Sequence, residues 1–419
     1  MTSAVAAIFV SGYILITLEH RYQLHKAITA AAMGALLWLV IGLTEGKSVT
    51  GTVERAGSEV FGLVFFLLCA MTLVEILVDY RFFDWIRMRL IALNLTDRWQ
   101  LWVLSGVAFV LSAIIDNLTA TLVMLTITGR FFHGSNLIAA CCSIVVAANA
   151  GGAWSPIGDV TTIMLWLAGK FTSAEIISWA LLPSVVLFIV STCMIQRHVQ
   201  SDSPDEVGAD ITLSPSEKIV AGFVMVSFLL PLIFSQIGLP PYFGLMMGLG
   251  VVGIVMAITR RASQSPTDLG SDIEQKLSRV DLASLVFFAG ILLAVAALKH
   301  VQILDTVSSV LMGSDPGLGR YVAGIGSMGA ISAIVDNIPL TAGAISIVKT
   351  DDPAIWSLIA IAVGTGGSML SIGSAAGVVA MGRLKDLTFA RYLKIATVPA
   401  AVGYMAAIAV WWVQYEIVR

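Results

Sequence analysis

Two stretches of this chain set ionisable side chains among residues that are almost all apolar. "SAIIDNLTATLVML" carries Asp116 and Asn117, and "SAIVDNIPLTAGAI" carries Asp336 and Asn337. A third carboxylate, Asp159, follows Pro156 and Gly158 in "SPIGDVTTIML" and precedes Thr161 and Thr162. If these segments lie in a membrane, each carboxylate is costly and is a functional candidate by default. Three acids with almost no internal Lys or Arg make a site of negative potential, which calls for cations. Further oxygen donors stand nearby: Asn149 in "ANAGGAWSPIGD" and Ser368, Ser371 and Ser374 in "GTGGSMLSIGS". Both stretches are too rich in Gly, Ser and Pro to stay regular helix. Unwound backbone there would add carbonyl oxygens, and at membrane depth it is tolerated only where it lines a cavity. Carboxylate, carboxamide, hydroxyl and carbonyl oxygens together suit a hard monovalent cation, Na⁺ or Li⁺, by the reasoning that applies to Mg²⁺ and Ca²⁺. The expected ion set is Asp116, Asn117, Asp159 and Thr162, with the other residues named above as further ion or proton sites. No cofactor is expected.

Each of these residues also has a plainer reading. Asp and Asn accept hydrogen bonds from free N–H groups at helix starts, so Asp116 and Asp336 could be caps, and a cap can bind as well. Asn149, Thr161 and Thr162 could satisfy neighbouring backbone, and the serines could be small residues for close helix packing. Glu75, near a span end, fits snorkelling or a local pair, and His133, Lys299 and His300 fall near the ends of apolar runs. The four cysteines, Cys69, Cys141, Cys142 and Cys193, lie inside apolar segments without metal-ligand spacing and read as buried small hydrophobes.

The elements that must hold these groups follow from composition. The chain has 419 residues, 58% hydrophobic and 12% charged, with a mean hydropathy of +0.91. A soluble domain is about 25% charged, so this is a polytopic, all-α membrane protein whose partner is the lipid bilayer. The net charge of -3 argues against nucleic acid. Apolar runs of membrane length are expected near 4 to 18, 26 to 43, 60 to 79, 176 to 195, 219 to 236, 242 to 259, 281 to 298 and 393 to 414. "DYRFFDWIRMRLIALNL" mixes aromatic and basic residues as an interfacial helix does. The N-terminal stretch lacks a basic n-region and a small-residue cleavage site, so the first span is expected to stay.

The polar connector 196–218 divides the chain into 1–195 and 219–419, and the halves match element for element. Asp336 follows Asp116 by 220 residues, as Ser332 follows Ser112, and Gly366 follows Gly151 by 215. Arg81, Arg87, Arg89 and Arg98 in one loop, and Arg260, Arg261, Lys276 and Arg279 in another, mark the cytoplasmic side. The first span then enters from outside and its counterpart near 219 from inside, which makes the repeats inverted, with the site expected at the midplane between them. Residues 100 to 130 could form a broken through-going helix or a re-entrant hairpin with Asp116 and Asn117 at its tip. The hairpin leaves Arg130 cytoplasmic, which the charge rule favours. About ten spans, two hairpins and a discontinuous helix in each half result.

"SAIIDNLTATLVM", "ANAGGAWSPIGDVTTIMLW" and "SAIVDNIPLTAGAISI" resemble the NhaD family of sodium/proton antiporters, in the superfamily that also holds arsenite permeases and dicarboxylate/sodium symporters. The likeness covers both halves, and "SPIGDVTTIMLW" is its most specific part. It implies ion binding at Asp116, Asn117, Asp159, Thr161, Thr162, Ser368 and Ser371, with Asp336 and Asn337 as the second pair. It also implies a homodimer, an elevator-like moving part and a bacterial cytoplasmic membrane. The dicarboxylate relatives carry neutral Ser-Asn-Thr motifs where this chain has Asp-Asn, and an anion would be repelled by three carboxylates in a low dielectric. The expected activity is Na⁺/H⁺ exchange. A proton-coupled permease for arsenite or another small solute is the alternative. Membrane-embedded catalysis is disfavoured by the lack of HExxH, a nucleophile elbow or a Cys-His cluster.

Overall fold

The computed structural model describes residues 1–17, 24–93, 95–129, 131–200, 213–262, 273–306, 317–384 and 386–418. Arg130, the middle of the connector and residues 307–312 lie outside the described residues, as do the side chains of Arg260 and Arg261. In the first half the helices are α1 (Thr2–Thr17), α2 (Lys26–Glu45), α3 (Thr50–Asp79), α4 (Phe82–Ile91), α5 (Asp97–Ile115), α6 (Asn117–Thr128), α7 (Gly134–Gly152), α8 (Val160–Leu167) and α9 (Ser173–Ile195). The second half holds α10 (Pro215–Ser227), α11 (Leu230–Gln236), α12 (Pro241–Ala262), α13 (Ile273–Arg279), α14 (Leu282–His300), α15 (Leu318–Ser332), α16 (Asn337–Ile347), α17 (Pro353–Gly366), α18 (Ala375–Arg383), α19 (Phe389–Tyr392) and α20 (Val398–Val418). Eight stretches of the described residues are long and apolar enough to cross a membrane by length and composition, Lys26–Asp79 counting as one, and α1, α6, α16 and α17 are shorter apolar helices, so the expected first span near 4 to 18 is not among the eight. The fold is all-helical and polytopic.

Hydrogen bonds along the helices decide between the broken helix and the hairpin. At their starts α5 and α7 meet through Asn136 Nδ2, which donates to Asp97 Oδ2 at 2.8 Å. Near their ends Ser112 Oγ donates to the Ala148 carbonyl at 2.6 Å, and Ser105 and Ser143 share a 2.8 Å bond between. The two helices therefore run parallel, and α6 must return the chain from Asp116 to the end where α5 began. A re-entrant hairpin with Asp116 at its tip results. The second half repeats this: the Tyr321 hydroxyl near the start of α15 donates to the Lys349 carbonyl just past α16 at 3.1 Å. At the far end Ser332 Oγ donates to the Val363 carbonyl at 2.8 Å.

The two hairpins enter from opposite ends of the bundle. Helix α9 finishes beside the start of the first hairpin, where Trp102 Nε1 donates to Gln196 Oε1 at 2.8 Å and Asn136 Nδ2 to the Gln200 carbonyl at 2.8 Å. Against α9 runs α20, antiparallel, joined by Ser191 Oγ to the Pro399 carbonyl at 3.0 Å and Gln414 Nε2 to the Ser178 carbonyl at 2.7 Å. The far end of α20 reaches the start of α17, where the Tyr415 hydroxyl donates to Asp352 Oδ2 at 2.8 Å.

Close helix crossings set the depth of each hairpin. A Cβ at Gly151 would run into the Phe109 carbonyl, and one at Gly366 into the Gly329 carbonyl. Only glycine lets the two backbones approach this closely. Past each crossing the helix unwinds, over 153–159 and over 367–374, before α8 and α18 resume.

Elsewhere, α13 is tied to the end of α3 by Asp79, which pairs with Lys276 and with Arg279 at 2.7 Å; Lys276 is 2% exposed. Glu75 stands beside Lys276 and Arg279, in keeping with a local pair. Helix α4 follows Arg81, whose φ of 57° supplies the sharp turn into it, and Arg89 lies 5.7 Å over the Trp85 ring. Cys69, Cys141 and Cys142 are buried, but Cys193 is exposed. It lies on the outward side of α9, where a small polarizable thiol is compatible with lipid.

Candidate functional site

Both hairpin tips and both unwound segments meet in the middle of the bundle. Asp159 begins α8, is 1% exposed, and accepts from Asn337 Nδ2 at 3.2 Å across the boundary between halves. The Thr161 side chain and the Val160 backbone N–H also donate to the Asp159 carboxylate. The Thr341 hydroxyl donates to the Asn337 carbonyl at 2.8 Å, and its oxygen lies 3.4 Å from that of Thr161. This is one crossing: the tip of the second hairpin against the restart of the first broken helix.

The second crossing is made by Asn149. Its Oδ1 accepts from Asn117 Nδ2 at 3.0 Å. Its Nδ2 donates to Ser368 Oγ at 2.8 Å and to Ser374 Oγ at 3.1 Å. Asn149 is fully buried, and Ser368 and Ser374 nearly so.

Asp116 and Asp336 sit at the hairpin tips as caps. Asp116 takes the Thr119 N–H at 2.9 Å on Oδ1 and the Thr119 hydroxyl at 2.8 Å on Oδ2. It does so with φ at 77° and ψ at 155°, a backbone conformation costly for any residue but glycine. Asp336 Oδ1 accepts from the Ile338 N–H at 3.2 Å. Both carboxylates lie within electrostatic reach of Asp159, so the three acids form one charge system.

Two expected residues are engaged otherwise. The Thr162 hydroxyl is spent on the backbone of Asp159, donating to its carbonyl at 2.8 Å and accepting from its N–H at 3.2 Å. Ser371 is buried but donates to Met381 Sδ at 3.1 Å, away from the crossings. The grouping also differs from the expected one: Asp159 is hydrogen-bonded to Asn337 of the second hairpin, whereas Asn117 reaches Asn149.

The second unwound segment is held from outside by a π-helical turn, Leu393–Thr397. The Tyr392 hydroxyl donates to the Ser368 carbonyl at 2.8 Å and the Thr397 hydroxyl to the Met369 carbonyl at 2.7 Å. Tyr13 and Lys26 also reach the second tip, with no local signal in the sequence. The Tyr13 hydroxyl meets the backbone of Asp336, and the Lys26 ammonium lies within its electrostatic reach while sitting 4.9 Å over the Phe287 ring. Lys26 opens α2 and reads as a span-end residue, and only the packing of α2 on α14 carries it inward.

Residues 13–364 match the family described as citrate transporter. The chain is 36% identical to sodium/proton antiporter 1 of Arabidopsis thaliana, over 97% of this chain and 72% of that one. It is 32% identical to the Na⁺/H⁺ antiporter NhaD of Alkalimonas amylolytica, over 96% and 89% of the two chains. With the NhaD of Vibrio cholerae it shares 30% identity, over 97% and 90%. The chain belongs to the NhaD-type antiporter family. These NhaD-type relatives are named as transporters, not enzymes, and their likeness covers both hairpins and both unwound segments of this chain.

Proposed function

We propose that this chain is a secondary transporter that exchanges Na⁺, and also Li⁺, for H⁺. The observation that carries the reading is Asp159: a carboxylate 1% exposed, set among hydroxyl and amide groups, with no lysine or arginine ion-paired to it among the described residues. A carboxylate withdrawn from water is stabilised when a cation or a proton neutralises it. Na⁺ and H⁺ therefore compete for one site, and binding of one requires release of the other. Asp116 and Asp336 are coupled acids of the same system, so the protons belong to the group rather than to a single residue.

Alternating exposure of the loaded site would complete the cycle. Hairpins entering from opposite ends and a 220-residue internal repeat support reading the halves, 1–195 and 219–419, as inverted repeats that rock or slide about the crossings. We place the chain in a bacterial cytoplasmic membrane as a homodimer, on the family likeness. Transport of a citrate-like anion is disfavoured because the substrate would face Asp116, Asp159 and Asp336 together.

The test is proton flux in everted vesicles carrying a preset pH gradient, for wild type beside Asp159→Asn. Na⁺- and Li⁺-driven dissipation in the wild type and its loss in the variant are expected. A folded wild type without a cation response from neutral to alkaline pH would overturn the proposal.

A further inference from the structure

The two crossings are built from matching positions of the two halves, yet they are filled differently. At the 215-residue spacing of the unwound segments, Asn149 corresponds to Gly364, Ala153 to Ser368, Asp159 to Ser374 and Thr161 to Ala376. At the 220-residue spacing of the hairpins, Asn117 corresponds to Asn337 and Thr121 to Thr341.

The contacts follow this correspondence. Asn149 touches Ser368 and Ser374, and a Cβ on Gly364 would meet Asp159 Oδ2 at 3.1 Å and Ala153 Cβ at 3.9 Å. In each crossing a tip asparagine, one residue before the break of its own half and one restart residue of the other half come together. The Asn149 crossing has a carboxamide before the break and a hydroxyl at the restart. The Asp159 crossing has no side chain before the break and a carboxylate at the restart.

We infer that this transporter has one cation site, at the Asp159 crossing, and that the matching position at the other crossing is sealed by the side-chain amide of Asn149. The amide nitrogen presents two N–H groups to two serine oxygens, Ser368 and Ser374, and its oxygen takes the amide of Asn117. Its NH₂ group thus occupies the centre of the oxygen cluster as a built-in, uncharged substitute for an ion. Oxygens that donate to or accept from a fixed amide are already satisfied, and a cation would have to displace it without any carboxylate in return. The Asp159 crossing has the opposite composition. Its charge is not matched by a lysine or arginine pair, and Gly364 leaves the approach to Oδ2 without a side chain. Thr341 has Thr161 as a neighbour there, whereas its counterpart Thr121 has no hydrogen-bond partner among the described residues, and the counterpart of Thr161 is Ala376, which has no hydroxyl. The exchange of Asn for Gly and of Ser for Asp between halves would turn a symmetric pair of sites into one open and one closed.

The inference rests on the sodium reading above and deepens it. The test is equilibrium binding of radioactive Na⁺ to the purified full chain, with Li⁺ as displacer. About one saturable Na⁺ per chain is expected in the wild type and none in Asp159→Asn. In the double variant Asn149→Gly with Ser374→Asp, which gives the closed crossing a carboxylate and removes its amide, two are expected. Two sodium ions per wild-type chain would overturn the inference while leaving Na⁺ exchange intact, and so would one ion that survives Asp159→Asn. No saturable binding in a folded wild type would overturn the sodium reading itself. The wild-type and Asp159→Asn values decide the matter even if the double variant fails to fold.

Discussion

The crossed pairing of tip and break makes a quantitative statement about the two asparagines. Asn337 donates to a carboxylate, Asn117 to a neutral amide. A hydrogen bond to a charged group contributes about 1.5–3 kcal/mol, and a neutral one about 0.5–1.5. The Asn337 bond is 3.2 Å long, at the far end of the usual N–H···O range, so the lower figure applies. In Asn337→Ala, Asp159 loses its anchor at a cost of about 1.5 kcal/mol, equivalent to about tenfold in affinity. Half-saturation of proton flux by Na⁺ in everted vesicles should therefore rise about tenfold at fixed pH, with the rate at saturating Na⁺ largely kept. In Asn117→Ala the lost bond falls on Asn149, outside the cation site. Half-saturation there should move by less than about twofold, while thermal stability in detergent drops by about 1 kcal/mol. Equal shifts in the two variants, or a larger one for Asn117→Ala, would refute the crossed assignment of Asp159 to the second hairpin.

Three more expectations follow from the contacts. Asp116→Asn should keep the helix cap, since Asn and Asp cap about equally, whereas Asp116→Ala loses about 1 kcal/mol more; comparing their thermal midpoints and Na⁺-driven flux separates cap from charge. Gly366→Ala drives a Cβ into the Gly329 carbonyl and should cost at least about 1–3 kcal/mol with loss of transport, while Gly42→Ala, with open space around it, should leave both unchanged. Asp79→Ala leaves Lys276 of α13 with Glu75 as its remaining acid among the described residues; because Asp79 is 22% exposed, a loss of about 2 kcal/mol is expected rather than the full buried-pair figure, read as a lower unfolding temperature.

Much of this architecture was legible in the residues. The break at Asp116, the unwound segments after Gly152 and Gly366 and the repeat offsets follow from polar and glycine residues that an apolar helix cannot absorb silently. The hairpin reading of 100 to 130 needed only one further fact, the parallel run of α5 and α7. The partners were not legible. Asp159 and Asn337 are 178 residues apart, and nothing local distinguishes Asn337 from Asn117 as the tip that reaches the carboxylate. Thr161 and Thr162 are adjacent and chemically alike, and only helical phase sends one to the carboxylate and the other to the backbone. Ser371 fits the glycine-rich pattern as well as Ser368 does, but the short 3-10 turn at Ser371–Gly373 rotates it toward Met381. Lys26 escaped notice because sequence places it at a helix end while packing places it beside Asp336.

The π-helical turn at Leu393–Thr397 makes chain length itself a determinant of the site. In such a turn residues i and i+5 share a side, which they do not in an α-helix, and this is how Tyr392 and Thr397 both reach consecutive carbonyls of the unwound segment. Between the last loop and α20 the chain carries one residue more than an α-helical path would use. Removing any one residue of that turn would restore ideal helix, improve local geometry, and swing one of the two hydroxyls away from its carbonyl. The unwound segment at Ser368 or Met369 would then lose its support from behind, although no residue touching Asn149 or Asp159 had changed. Among homologues, gain or loss of a single residue in this turn should therefore be far rarer than substitution within it.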